Sequence, residues 1–226
     1  MREWLRKLPD TGEILLVLLV AFGASVPRSL AALFGGGLRG AGTAPITNQA
    51  LLRTALYEVA ILVVLALFLR ARGWTLQRLG LAPSWRDSGL GVALAVAAYL
   101  GYALLWIATL ALWPRVGQVA SATHLIGGAL GWPNVLLISL VNPVFEELFA
   151  CGYLMAALRE RAGVTAAINA SAALRVFCHF YQGALGVLGI VPMALLFAYW
   201  YARTARLWPL IVAHAILDLA GLAAGR

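Results

Sequence analysis

Charge is scarce in this 226-residue chain: only 12% of residues are Asp, Glu, Lys or Arg, against 62% hydrophobic. An ordinary globular domain carries about 25% charged residues. That deficit argues against the one or two soluble domains that the length alone suggests. There are two cysteines, Cys151 and Cys178, both in apolar stretches, so no disulfide framework follows. Internal repeats and low-complexity tracts are missing. No G-x-S-x-G-like turn is present to expose a nucleophilic serine, and Ser171, in "NASAAL", lacks that context. An aspartyl intramembrane protease needs two membrane aspartates, and only Asp218 qualifies.

Long apolar runs are abundant instead. Several reach the roughly 18–20 residues that cross a bilayer as helix. The chain therefore reads as an all-α, polytopic membrane helical bundle of about seven transmembrane segments. They run roughly Glu13–Phe34, Ala50–Leu69, Gly89–Leu112, Val135–Leu158, Val164–Tyr181, Leu185–Tyr201 and Leu207–Leu222. Pro27 and Arg28 interrupt the first and predict a kink or partial re-entry. "MREWLRKLPD" predicts a short interfacial helix, with a signal peptide as the alternative. "GGGLRGAGTAP" and "APSWRDSG" read as loops, the second offering Asp87 or Ser88 as a helix cap. Three regions result: 1–12 as an N-terminal interfacial segment, 13–133 as N-terminal transmembrane segments and 134–224 as core helices.

The net charge of +8 does not indicate nucleic acid, because the basic residues are dispersed among short loops without an aromatic-interleaved stripe. They fit the positive-inside rule. Arg2, Arg6 and Lys7 precede the first segment; Arg70, Arg72, Arg78 and Arg86 follow the second; Arg159 and Arg161 follow the fourth; Arg203 and Arg206 follow the sixth. If every segment spans, these lie on one side, predicting a cytoplasmic N-terminus. Arginine in place of lysine, with abundant Ala, Leu and Gly, hints at a prokaryotic cytoplasmic membrane.

Ionisable residues within apolar segments are functional candidates by default. Here they are Arg28, Glu58, Glu146, Glu147, Arg175, His179, His214 and Asp218. Glu146 and Glu147 lie near the middle of the fourth segment and point about 100° apart on a helix. Two carboxylates this close in low dielectric do not ionise independently, which suits acid–base work. His214 and Asp218 are four apart, on one helix face. Asp218 is placed to accept from one ring nitrogen and leave the other free. Arg175 and His179 are also four apart, and the guanidinium needs an anion or a route to water. The plain structural readings are a carboxylate bonded to a neighbouring helix, a polar pair joining helices and a snorkelling arginine. Taken together, two Glu, two His and an Asp on three late helices predict a water-holding centre inside the membrane. Glu58 and Arg28 stay unassigned.

These residues resemble the motifs of the CAAX protease and bacteriocin-processing family of intramembrane endopeptidases. Its pattern is E-E-x-x-x-R, then F-x-x-x-H, then H-x-x-x-N or H-x-x-x-D on successive helices. "EELFACGYL", "RVFCHFYQG" and "HAILD" are similar to the three parts, and the resemblance covers about Val135 to Leu222. Two positions depart from it: the motif's Arg falls on Cys151 and its Phe on Arg175. Arg175 from the next helix is therefore expected to supply the missing guanidinium. The resemblance implies a glutamate-type protease. Glu146 would activate a water held with His179, His214 would donate to the oxyanion, Asp218 would orient His214, and Glu147 would support the pocket. It implies a membrane-anchored protein or peptide as substrate and the lipid bilayer as surroundings. No metal is expected; the open alternative is zinc on Glu146, His179 and His214, with Cys151 and Cys178 as soft ligands. The cysteines otherwise read as small buried packing residues. Two other function classes stand against the enzyme. A proton-coupled transporter would use the same buried acids and imidazoles, but inverted repeats are missing. A non-catalytic immunity or binding protein would explain Cys151.

Overall fold

The computed structural model describes residues 10–34, 45–115 and 126–224. Most of the expected interfacial segment, and the glycine-rich loop before Pro45, lie outside them. Among the described residues there is no strand, only an isolated bridge between Ile46 and Ile126. The rest is a helical bundle: α1 (Asp10–Phe22), α2 (Val26–Phe34), α3 (Asn48–Ala71), α4 (Trp85–Leu112), α5 (Trp132–Glu147), α6 (Leu154–Cys178), α7 (Gly183–Thr204) and α8 (Trp208–Ala224). This is an integral membrane protein, with leucines and valines such as Leu19, Val63, Leu67, Leu104 and Leu140 facing outward on its helices.

Among the described residues, five helical stretches are long and apolar enough to cross a membrane, and α8 is a shorter apolar helix. One of these stretches, Trp132–Cys178, holds two of the expected segments, Val135–Leu158 and Val164–Tyr181, on either side of a break in helical geometry at Gly163. Its direction changes at Gly163, whose φ of 85° is open to glycine at little cost. The last segment, α8, has 17 residues and is shorter than a typical span. The interruption expected at Pro27 is a 3-10 turn at Gly23–Ser25, just before Pro27 enters the first turn of α2. The cap of α4 is Ser84, not Asp87 or Ser88. Its hydroxyl accepts from the Asp87 amide, so the helix begins one turn earlier than its apolar run.

Loops rich in arginine meet at one end. Glu13 of α1 accepts from the indole of Trp74 (2.8 Å) and the hydroxyl of Tyr153 (3.0 Å) and pairs with Arg72. Arg206 pairs with Asp87. The Leu207 amide donates to the Gly80 carbonyl at 2.9 Å. The loops after α3 and α7, which carry Arg72, Arg78 and Arg206, thus lie at one end of the bundle, as the charge pattern expects.

The centre of the bundle is built by α8 packing on α4 and α5, α3 on α5, and α7 on α4 and α6. α8 reaches α4 closely because Gly91 has no side chain. A Cβ there would lie 2.6 Å from the Val212 Cβ and 2.8 Å from the Pro209 carbonyl oxygen. Gly91→Ala is therefore expected to push α8 away and cost about 1–3 kcal/mol, as overpacking usually does. A thermal melt in detergent checks this; an unchanged midpoint would show that α8 can shift freely.

Candidate active site

The site begins with an irregularity in the helix that carries the two glutamates. Pro143 sits inside α5 without an amide hydrogen to donate, and past Glu147 the helix widens into a π turn, Leu148–Tyr153, before α6. Such π turns are frequent at functional sites. Every residue of this one is buried. The polar carboxylates just before it therefore point into protein, not lipid.

The two glutamates divide their surroundings. Glu147 has no exposed surface. Its Oε2 accepts from Nη2 of Arg175 at 2.8 Å, and its Oε1 lies 2.7 Å from Nδ1 of His214. Glu146 turns to a cavity of about 720 Å³ that His179, His214 and Asp218 also line. Its Oε2 accepts from Nη1 of Arg175 at 3.2 Å. The 100° step between neighbouring helix positions thus sends one acid into the packing and the other to the opening.

Arg175 is 2% exposed and bridges both carboxylates from α6. Its Nη2 is also 3.9 Å from the Cys151 sulfur. The guanidinium thus lies beside the position where the family motif has its arginine. Cys151 and Cys178 are free and buried. Cys151 lies 3.7 Å from the Ser171 hydroxyl, and Cys178 accepts from Ser25 at 3.2 Å.

The histidines are held from behind. Nδ1 of His179 is 2.7 Å from the Arg175 carbonyl oxygen, an acceptor only, so Nδ1 bears the hydrogen and Nε2 is left for the cavity. His214 differs from the sequence expectation. The nitrogen expected to be free, Nδ1, is taken by Glu147, while Nε2 faces Asp218 Oδ1 at a long 3.4 Å. Sequence spacing reveals an i, i+4 partner but not a carboxylate arriving from another helix.

Among the described residues, no three His, Cys, Asp or Glu side chains are grouped as metal ligands, Glu146, His179 and His214 included.

Two residues left unassigned by sequence adjoin this site. Arg28 lines the cavity and lies over the Tyr181 ring, 5.5 Å from its centroid. Glu58, on α3, is buried against α5. Sequence reasoning missed Asn142 entirely, although it stands four residues before Glu146 on the same face.

Residues 127–220 match the family model described as type II CAAX prenyl endopeptidase Rce1-like, a family of proteases. This region contains Glu146, Glu147, Cys151, Arg175, His179, His214 and Asp218. No curated protein and no solved structure matches the chain.

Proposed function

We propose that this chain, a member of the CAAX protease and bacteriocin-processing family through residues 127–220, is an intramembrane endopeptidase that hydrolyses a membrane-anchored peptide with a glutamate-activated water. The observation that carries this reading is the shared opening of Glu146, His179 and His214 onto one cavity, with Glu147 and Arg175 buried behind them. A water in that cavity donates one hydrogen bond to Glu146 and one to Nε2 of His179, and turns a lone pair toward the peptide carbonyl. As its oxygen bonds to the carbonyl carbon, Glu146 takes the water's proton. Nε2 of His214, which lines the cavity and has only the long 3.4 Å contact with Asp218, turns its hydrogen from that carboxylate to the developing oxyanion. Collapse of the adduct breaks the C–N bond, and Glu146 returns the proton to the leaving amine.

Asp218 helps aim His214 from one side and Glu147 holds it from the other. Arg175 keeps Glu146 and Glu147 together without both facing the water. Apolar cavity walls, among them Leu51, Ile138, Ile190 and Met193, suit a substrate delivered from the bilayer. The basic end of the bundle faces the cytoplasm of a prokaryotic cell in this reading, with the N-terminus on that side.

The test is incubation of detergent-purified protein, beside Glu146→Ala, with a library of membrane-anchored peptides. Cleavage by the wild type alone is the expected result, unaffected by a chelator. Equal cleavage by both proteins, or none by either, would remove the reading. Loss with chelator and recovery with zinc would replace the water mechanism by a metal-dependent one.

A further inference from the structure

We propose that Glu58 is a positioning residue that fixes the catalytic Glu146 through Asn142; the inference rests on the role proposed for Glu146. The two acids come from different helices, α3 and α5. Asn142 stands between them. Its single amide nitrogen donates to Oε1 of Glu58 at 2.9 Å and reaches Oε1 of Glu146 at 3.4 Å. A side-chain amide nitrogen has two hydrogens, enough for one to each acid.

The direction of the amide is what Glu58 determines. Flipped, Asn142 would set its carbonyl oxygen against carboxyl oxygens on both sides. With Glu58 present, the NH2 group faces Glu146. Glu146 is then held on both oxygens, by Arg175 on Oε2 and by Asn142 on Oε1. That fixes the plane of the carboxylate and the direction in which it meets a cavity water. A general base must lie within hydrogen-bond reach of the proton it takes, and a small misplacement costs rate.

A packing role alone accounts poorly for Glu58. It is buried in a largely apolar stretch of α3, Ala55 to Leu69, and its Oε2 has no hydrogen-bond partner. A leucine or methionine would fill that space without burying a polar atom. Glu58 does not line the cavity, so a direct part in substrate binding is not indicated.

The experiment joins kinetics to a spectroscopic readout that needs no substrate. Glu58→Leu is expected to lower kcat about tenfold with KM nearly unchanged, the scale of one lost hydrogen bond. Glu58→Gln keeps an acceptor oxygen for Asn142 and is expected to recover most of the activity. Glu58→Leu combined with Asn142→Ala is expected to be no slower than Asn142→Ala alone, because both act on one path. In infrared difference spectra between each protein and its own Glu146→Gln partner, the Glu146 carboxylate band is expected to shift in Glu58→Leu and in Asn142→Ala, and to stay in place in Glu58→Gln. Asn142→Ala supplies the spectral test should Glu58→Leu not fold. Additive kinetic losses, or an unmoved band, would overturn the inference. Failure of the hydrolase reading is a separate result, namely no cleavage that depends on Glu146, and the band shift is read whether or not that occurs.

Discussion

Arg175→Ala is expected to abolish peptide cleavage, and Cys151→Arg in the same chain is expected to restore a substantial part of it. The buried guanidinium compensates Glu147, which has no exposed surface, and Glu146 beside it. Removing one partner from a buried ion pair costs about 3–5 kcal/mol, because the remaining charge is left without compensation. Arg175→Ala should accordingly lose stability as well as rate.

The rescue follows from position. Cys151 is four residues beyond Glu147, and its sulfur lies 3.9 Å from Nη2 of Arg175. An arginine grown from that point enters the space that the truncated side chain vacates. Cys151→Arg by itself should be harmful. It would force a second guanidinium into a fully buried position already served by Arg175. The three variants therefore form a cycle with a large favourable coupling. Cleavage rates and thermal melts of all three, beside wild type, measure it. Additive losses in the double variant would show that the two positions do not exchange one charge, and that Cys151 is a departure from the motif without compensation.

The second large effect separates the adjacent glutamates. Glu146→Gln is expected to lower cleavage by about a thousandfold, the range of a lost general base, with the melting temperature close to wild type. A glutamine there still accepts one hydrogen bond through its remaining oxygen and borders the cavity. Glu147→Gln is expected to act chiefly on the fold. It leaves Arg175 paired only with Glu146 and weakens the hold on Nδ1 of His214. A loss of about 3 kcal/mol is the order expected for a broken buried pair, visible as a lowered melt. Reaction rates at a temperature where both variants are folded complete the comparison. If Glu146→Gln melts early and Glu147→Gln stays folded but inactive, the two roles are exchanged.

Both predictions depend on contacts between helices, and that marks where sequence reading stops. The apolar runs determined the helical membrane class, because a backbone in hydrocarbon must satisfy its own hydrogen bonds. Spacing along one helix paired His214 with Asp218 and set Glu146 and Glu147 on different faces. The ordered Glu-Glu, Arg-x-x-x-His and His-x-x-x-Asp trio pointed to a protease family, and the family match over residues 127–220 agrees. The division expected between Val135–Leu158 and Val164–Tyr181 falls at Gly163, where the backbone leaves helical geometry. Hydropathy does not detect the π turn at Leu148–Tyr153, which lies inside an apolar segment.

Which glutamate meets the cavity and which is enclosed was decided by the tertiary structure. So was the placing of Glu147 against His214, and of Asn142 between Glu58 and Glu146. Periodicity fixes the angle between side chains on one helix. It says nothing about how far that helix is rotated about its axis or which neighbour it meets. Those are set by close approaches such as Gly91 to Val212, and by the requirement that buried charges find partners wherever in the chain they lie.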